Sequence, residues 1–251
     1  AGLLEALDGD SGYLDATEFK ELQAGKRGAA DTGIVLGRRF GFLTVVATRP
    51  ASPARKAGIK AGDFIKFIDG KHTHSLTVVK GERLLAGEPG TAVKVAIFKS
   101  GTEAAETSLV REKPAAGLPV ARLLDGGVGY LAVSDLGDSA LTSVRSSLAD
   151  LLAQGASSLV LDLRSSASGP LGNAAPLAEL FIKGGVVAKL ASRNAAEQTL
   201  VAKETARPFA GPLALLVDRG TAGASEIAAG CLLDSGRATL FGENTFGRAG
   251  I

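Results

Sequence analysis

Between Gly220 and Arg248 the chain reads G-T-A-G-A-S-E-I-A-A-G-C-L-L-D-S-G-R-A-T-L-F-G-E-N-T-F-G-R, an apolar helical run entered through a small-residue turn. A helix start offers backbone amides without intrahelical partners and the positive end of the helix dipole. Both suit a developing oxyanion, and therefore acyl transfer, when a nucleophile stands at the turn. Gly223 is an acceptable helix cap, and Glu226 three positions on has capping-box spacing. The side chains present do not complete that chemistry. Ser225 lies two positions into the helix, about 200° around it from Gly223, and is expected to face away from the turn. Ser165, Ser166 and Ser168 are loop hydroxyls with no identifiable base, and the Arg248 guanidinium stays protonated in any protein setting.

Other reactive groups are sparse. His72 and His74 form an H-x-H in a turn and read as solvent-facing loop histidines, because no further ligand cluster accompanies them. Cys231 has no partner for an internal disulfide and reads as a small buried hydrophobe. Asp8, Asp10 and Asp15 lack the glycine and terminal glutamate spacing of a calcium loop. No metal and no cofactor is expected.

These residues need a scaffold, and 251 residues, 45% of them hydrophobic, allow two modest domains. The near balance of 28 basic and 26 acidic side chains gives no electrostatic case for nucleic acid. No run of eighteen apolar residues is present to span a membrane. The chain starts without Met and stops at Ile251, so a trimmed chain is expected, with any leader removed and its C-terminal part truncated. Residues 1–27 read as short helices, the clearer one opening at Asp15-Ala16-Thr17-Glu18 with Phe19 and Leu22 as its apolar face. Residues 28–113 change to short alternating strands between Gly and Pro turns, with a helix over 76–85 and a strand over 93–98. A linker at 114–119 leads into 120–251, where strands alternate with helices. There 129–136, 159–163, 186–190 and 213–217 read as strands. Leu141, Val144, Leu148, Leu151 and Leu152 mark one helix face, and another helix is expected near 174–181. This βαβ rhythm implies a parallel or mixed sheet, an α/β class for the core and α+β overall.

Three phrases carry a resemblance. A-S-P-A-R-K-A-G-I-K-A-G-D-F-I-K-F-I-D-G, from Ala51 to Gly70, resembles a PDZ domain of the circularly permuted bacterial type. Leu7 to Leu22 resembles the segment that precedes that domain in the carboxyl-terminal processing (tail-specific) proteases. The stretch from Gly220 to Arg248 resembles the S-A-S-E and T-F-G-K-G pattern of the same family. The resemblance implies a PDZ domain (28–113) inserted between an N-terminal helical segment and a tail-specific protease core (120–251). It also implies a serine nucleophile and, twenty-five positions on, a lysine general base. Aligned without a gap, those positions hold Gly223 and Arg248. The turn from Asp162 to Gly169 is similar to the family's D-L-R-x-N-P-G-G, which implies that the amides of Gly169 and Ala224 form the oxyanion hole.

A PDZ domain takes a peptide as an added strand and holds its terminal carboxylate on loop amides. The corresponding peptide-binding residues are Thr32, Gly33, Ile34 and Val35. The resemblance therefore implies a binder of protein or peptide C-termini with an extracytoplasmic, such as periplasmic, location. The two substitutions point to a pseudoprotease. An active serine peptidase using another residue and a non-proteolytic ligand-binding relative stay open as alternatives, as does homo-oligomerisation.

Overall fold

The computed structural model describes residues 13–23, 28–74, 76–98, 104–115, 117–191, 196–204 and 207–248. The chain divides into two units, Ala1–Ala115 and Ala116–Ile251. In the first, helix α1 (Ala16–Gln23) opens with the Phe19 amide donating to the Asp15 carbonyl at 2.8 Å. Phe19 is 51% exposed, so it does not form the packed face expected of it. The Leu22 side chain, the Glu18 side chain of the expected capping box, and Asp8 and Asp10 lie outside the described residues.

The remainder of this unit is an antiparallel sheet of six strands: β1 (Ile34–Arg39), β2 (Phe42–Thr48), β3 (Phe64–Ile68), β4 (Lys71–His72), β5 (Ala92–Phe98) and β6 (Ala105–Val110). The spatial order is β1-β2-β3-β5-β6, with β4 paired to β3. Alternation sends Leu43, Val45, Ile65, Ile68, Val93 and Val95 into one core. Two helices close over it, each started by a hydroxyl cap. Ser52 accepts the Arg55 amide at 3.2 Å to start α2 (Pro53–Lys56), and Thr77 accepts the Lys80 amide at 3.2 Å to start α3 (Val78–Leu85). That cap places the start of α3 two residues later than the apolar pattern suggests. Gly81 lets α3 lie close to the sheet, since a Cβ there would stand 2.3 Å from Leu43 Cδ1. Arg111 fastens the helix end: its guanidinium donates to the carbonyls of Leu84 (2.8 Å), Leu85 (3.1 Å) and Ala92 (3.0 Å).

The second unit is built on a five-stranded sheet in the order β13-β12-β9-β8-β7, comprising β7 (Val120–Leu124), β8 (Val128–Ala132), β9 (Ser158–Asp162), β12 (Leu213–Val217) and β13 (Thr239–Gly242). All neighbours are parallel except the antiparallel edge strand β7. Helix α4 (Asp138–Ala153) links β8 to β9 and buries Leu141, Val144, Leu148 and Leu151, while Leu152 turns outward at 40% exposure. Helix α5 (Ala174–Ala178) follows a 3-10 turn at Leu171–Asn173 and is shorter than the expected 174–181. Helix α6 (Ala224–Asp234) links β12 to β13.

Two strand expectations change. Residues 133–136 leave the strand because the Asp135 carboxylate turns back to accept the Gly137 amide at 2.7 Å. The strand expected at 186–190 is present as β10 (Gly185–Leu190), but it pairs only with β11 (Gln198–Ala202) in a separate two-stranded ribbon. The architecture is a mixed α/β one, with a PDZ-type sheet followed by a βαβ core.

Candidate active site

The turn from β12 into α6 is fixed by short-range chemistry. The Asp218 carboxylate accepts the amides of Gly220 (2.9 Å) and Ser165 (2.8 Å). The buried Thr221 hydroxyl accepts the Asp218 amide at 3.0 Å and donates to the Leu163 carbonyl at 2.8 Å. The Ala222 amide donates to the Ser166 carbonyl at 2.9 Å. These bonds staple the loop after β9, which leads to Gly169, to the loop after β12, which leads into α6 at Ala224. Neither Asp218 nor Thr221 stood out in the sequence; an Asp and a Thr flanking R-G are an ordinary turn signal.

Gly223 sits at φ 62° and ψ −128°, a region that L side chains rarely adopt, and caps α6. Such a strained strand-to-helix turn is the form that presents a nucleophile at the top of a parallel sheet. A Cβ built on Gly223 would lie 3.6 Å from Leu171 Cδ2 and 4.0 Å from the Arg248 carbonyl oxygen, both ordinary spacings. The Gly223 amide donates to that same carbonyl at 2.8 Å. The structure therefore brings positions 223 and 248 together, backbone against backbone.

Glu226 arranges this contact. Its carboxylate accepts the Gly247 amide at 2.8 Å, the Arg248 amide at 2.9 Å and the Thr245 hydroxyl. Capping-box spacing would aim Glu226 at the amide of residue 223, but that amide is taken by Arg248. The glutamate instead clamps residues 245–248 against the first turn of α6.

Ser225 is fully buried, with its hydroxyl 2.6 Å from that of Ser166, which is buried too. The pair is a structural bond between the two stapled loops. Ala224 is the first residue of α6, where helix geometry leaves the amide without an intrahelical acceptor. Gly169 has φ 106°, and a Cβ there would stand 2.5 Å from the Leu136 carbonyl, so only glycine fits this approach. The preceding Ser168 carbonyl accepts the Leu136 amide at 3.1 Å.

The start of this turn is anchored by Asp162. Its carboxylate takes Arg164 through Nε (2.9 Å to Oδ1) and a terminal nitrogen (2.6 Å to Oδ2), and Tyr130 donates its hydroxyl at 2.7 Å. Burial pushes the Asp162 carboxyl upward, but the bonds from Arg164 and Tyr130 outweigh it and hold the group below its ordinary range. Burial and the adjacent carboxylate push Tyr130 up. The half-buried Cys231 thiol is likewise raised, by burial and by Asp234, which keeps it from acting as a thiolate.

In the first unit, Thr32 is buried and its carbonyl accepts the Ala54 amide at 3.0 Å. Gly33 has φ 80°, and a Cβ on it would collide with Ser52 Cβ at 2.1 Å. Its amide donates to Asp31 Oδ1 at 2.7 Å, and the same carboxylate is paired with Arg49. Ile34 and Val35 open β1, the edge strand, beside which α3 packs. His72 and His74 are exposed but engaged in ring contacts, His72 with Phe67 at 4.9 Å and His74 with Phe42 at 5.1 Å. No group of three or more His, Cys, Asp or Glu suited to a metal occurs among the described residues. Nor, among them, is any helix long and apolar enough to cross a membrane.

A strained glycine opening a helix after an interior strand of a largely parallel sheet, preceded in sequence by a PDZ-type sheet, defines a recognisable class. Residues 127–251 match peptidase family S41, and residues 44–97 match the PDZ domain. The chain is 33% identical over 258 residues to the chloroplastic carboxyl-terminal-processing peptidase 2 of Arabidopsis thaliana, covering 95% of this chain and 49% of that one. It is 34% identical over 211 residues to the carboxyl-terminal-processing protease of Synechocystis sp., covering 82% of this chain and 49% of that one. The solved photosystem II D1 C-terminal processing protease superposes with a TM-score of 0.85 at 27% identity, covering 94% of this chain and 66% of that one. The chain belongs to the carboxyl-terminal processing protease family. It spans about half the length of the curated relatives it matches.

Proposed function

We propose that this chain binds C-terminal tails of proteins through its PDZ domain and does not cleave them itself. The observation that carries the second half is position 223. The strained turn, the helix start and the Glu226 clamp together form the setting for a nucleophile, and the residue there has no side chain. Position 248, whose backbone contacts it, holds a guanidinium that cannot accept a proton. On this reading the oxyanion amides are those of Ala224 and Gly169, and they would polarise a carbonyl that nothing attacks. The edge strand β1 takes the tail as an added strand, with its carboxylate at Thr32 to Val35. An extracytoplasmic location belongs to the same proposal; fractionation of the source cells tests it, and recovery with cytosolic markers overturns it.

The functional test pairs two measurements. A peptide with a free apolar C-terminus should bind more tightly than its amide, and unfolded casein should stay intact. Equal affinities would remove carboxylate capture. Cleavage that tracks the chain and disappears on Ser225→Ala would sink the inactive reading.

A further inference from the structure

The β1–β2 hairpin ends in two residues, Phe40 and Gly41, closed by the Arg39–Phe42 pair. Both have left-handed backbones, φ 51° and 81°, as a type I′ turn requires. Gly41 suits this, whereas a bulky aromatic at positive φ is an outlier that calls for a reason. Packing does not supply one: Phe40 is 86% exposed and outside the hydrophobic core.

The tip is not isolated. Phe40 lies 6.2 Å from Phe64, and Phe64 lies 6.4 Å from the 40%-exposed Phe98. Across Gly41, a Cβ would meet His74 Nε2 at 2.9 Å, and the His74 ring sits edge-on to Phe42. Five of the ten phenylalanines and both histidines of the chain thus gather around one hairpin. Its charge setting is as one-sided. Arg38 and Arg39 directly precede the tip, and Lys66 stands 5.7 Å from the Phe67 ring. Residues 28–113 hold fourteen Lys or Arg against eight Asp or Glu, a formal +6, while the chain as a whole carries +2.

We propose that this hairpin tip docks on an anionic lipid bilayer. The Phe40 ring enters the boundary between headgroups and acyl chains, and Arg38, Arg39 and Lys66 pair with lipid phosphates. A convex tip with one protruding apolar ring suits a surface that parts around it, and the basic excess of residues 28–113, with Arg38, Arg39 and Lys66 beside the ring cluster, is complementary to anionic headgroups. The tip lies at the opposite end of β1 from the tail-binding loop, roughly 20 Å along a strand of six residues, so membrane docking leaves that loop accessible.

The test is co-sedimentation of the full chain with phosphatidylglycerol–phosphatidylcholine vesicles and with phosphatidylcholine vesicles alone, at low and high salt. Binding should require the anionic lipid and weaken with salt. Phe40→Asn creates Asn-Gly, a favoured type I′ pair, so the melting temperature should hold or rise while vesicle affinity falls roughly tenfold or more. Arg38→Gln with Arg39→Gln should weaken binding several-fold and flatten its salt dependence. Absence of vesicle binding, equal binding to neutral and anionic vesicles, or undiminished binding by Phe40→Asn would each overturn the proposal. The first of these outcomes would leave the tip to a protein partner.

Discussion

Substituting Gly223→Ser separates the stability of the site from its chemistry. A Cβ at this position meets nothing closer than Leu171 Cδ2 at 3.6 Å, so the penalty comes from the backbone alone. Holding an L residue at φ 62°, ψ −128° costs roughly 1–3 kcal/mol, which for a chain of this size lowers Tm by roughly 2–12 °C. On the proposed assignment the serine then stands at the nucleophile position without a base, because Arg248 remains charged. Adding Arg248→Lys preserves the two backbone bonds at 248 and supplies an amine that burial can neutralise. A general base contributes about 10²–10⁴-fold, so the double variant should react with a fluorophosphonate probe at least about a hundred times faster than Gly223→Ser alone. The unsubstituted chain should show no labelling that depends on position 223. Equal labelling of single and double variants would refute the assignment of 248 as the base position, and a melting loss far beyond the backbone range would refute the open space inferred around Cβ.

Three further outcomes follow from the same contacts. Asp31→Ala frees the Gly33 amide and removes a negative charge from the tail-binding loop, so a free-carboxylate peptide should bind about five- to tenfold more tightly by titration calorimetry, with its amide unchanged. Glu226→Ala removes the acceptor of three bonds to residues 245–248 and should cost about 2–3 kcal/mol in denaturant unfolding, with faster amide exchange at Gly247 and Arg248. Asp162 has a folded pKa below its unfolded one, so its contribution is fully present above the unfolded value and is lost as pH falls through the depressed folded value. Asp162→Asn should flatten that acid limb of the stability profile while leaving neutral-pH folding cooperative; an unchanged limb would show that Asp162 is not its source.

Much of the fold could be read from the residues because the periodicities were clean. Leu141, Val144, Leu148 and Leu151 repeat at helical spacing and are buried together on α4, and Leu159 and Leu161 alternate inward on β9. The pairing of one strand was not legible. Val186 to Leu190 reads as a strand and is one, yet the ribbon it forms is decided by its pairing with Gln198–Ala202, a long-range choice that local pattern does not contain. At the site, the resemblance singled out positions 223 and 248, which the fold brings into backbone contact, whereas the Glu226 clamp was not legible. Two of its three partners are backbone amides twenty or so residues away, and amides have no sequence signature. Capping-box spacing suggested the right acceptor with the wrong donor.

On the proposed reading, the residues that keep this site in shape differ from those that would make it react, so the reactive ones can be absent without harm to the fold. Gly169 is required by its approach to Leu136, Glu226 by its three bonds, and Ser225 by its hydroxyl pair with Ser166. Positions 223 and 248 meet through main-chain atoms, the amide of one and the carbonyl of the other, and the amide of 248 is held by Glu226. Those main-chain bonds do not depend on which side chain stands at either position. At 223 the direction of change is also favoured: a nucleophile there would be held in a strained conformation, and glycine relieves that strain by roughly 1–3 kcal/mol. Once tail binding without cleavage is the task, as proposed for this chain, stability alone favours glycine at the nucleophile position.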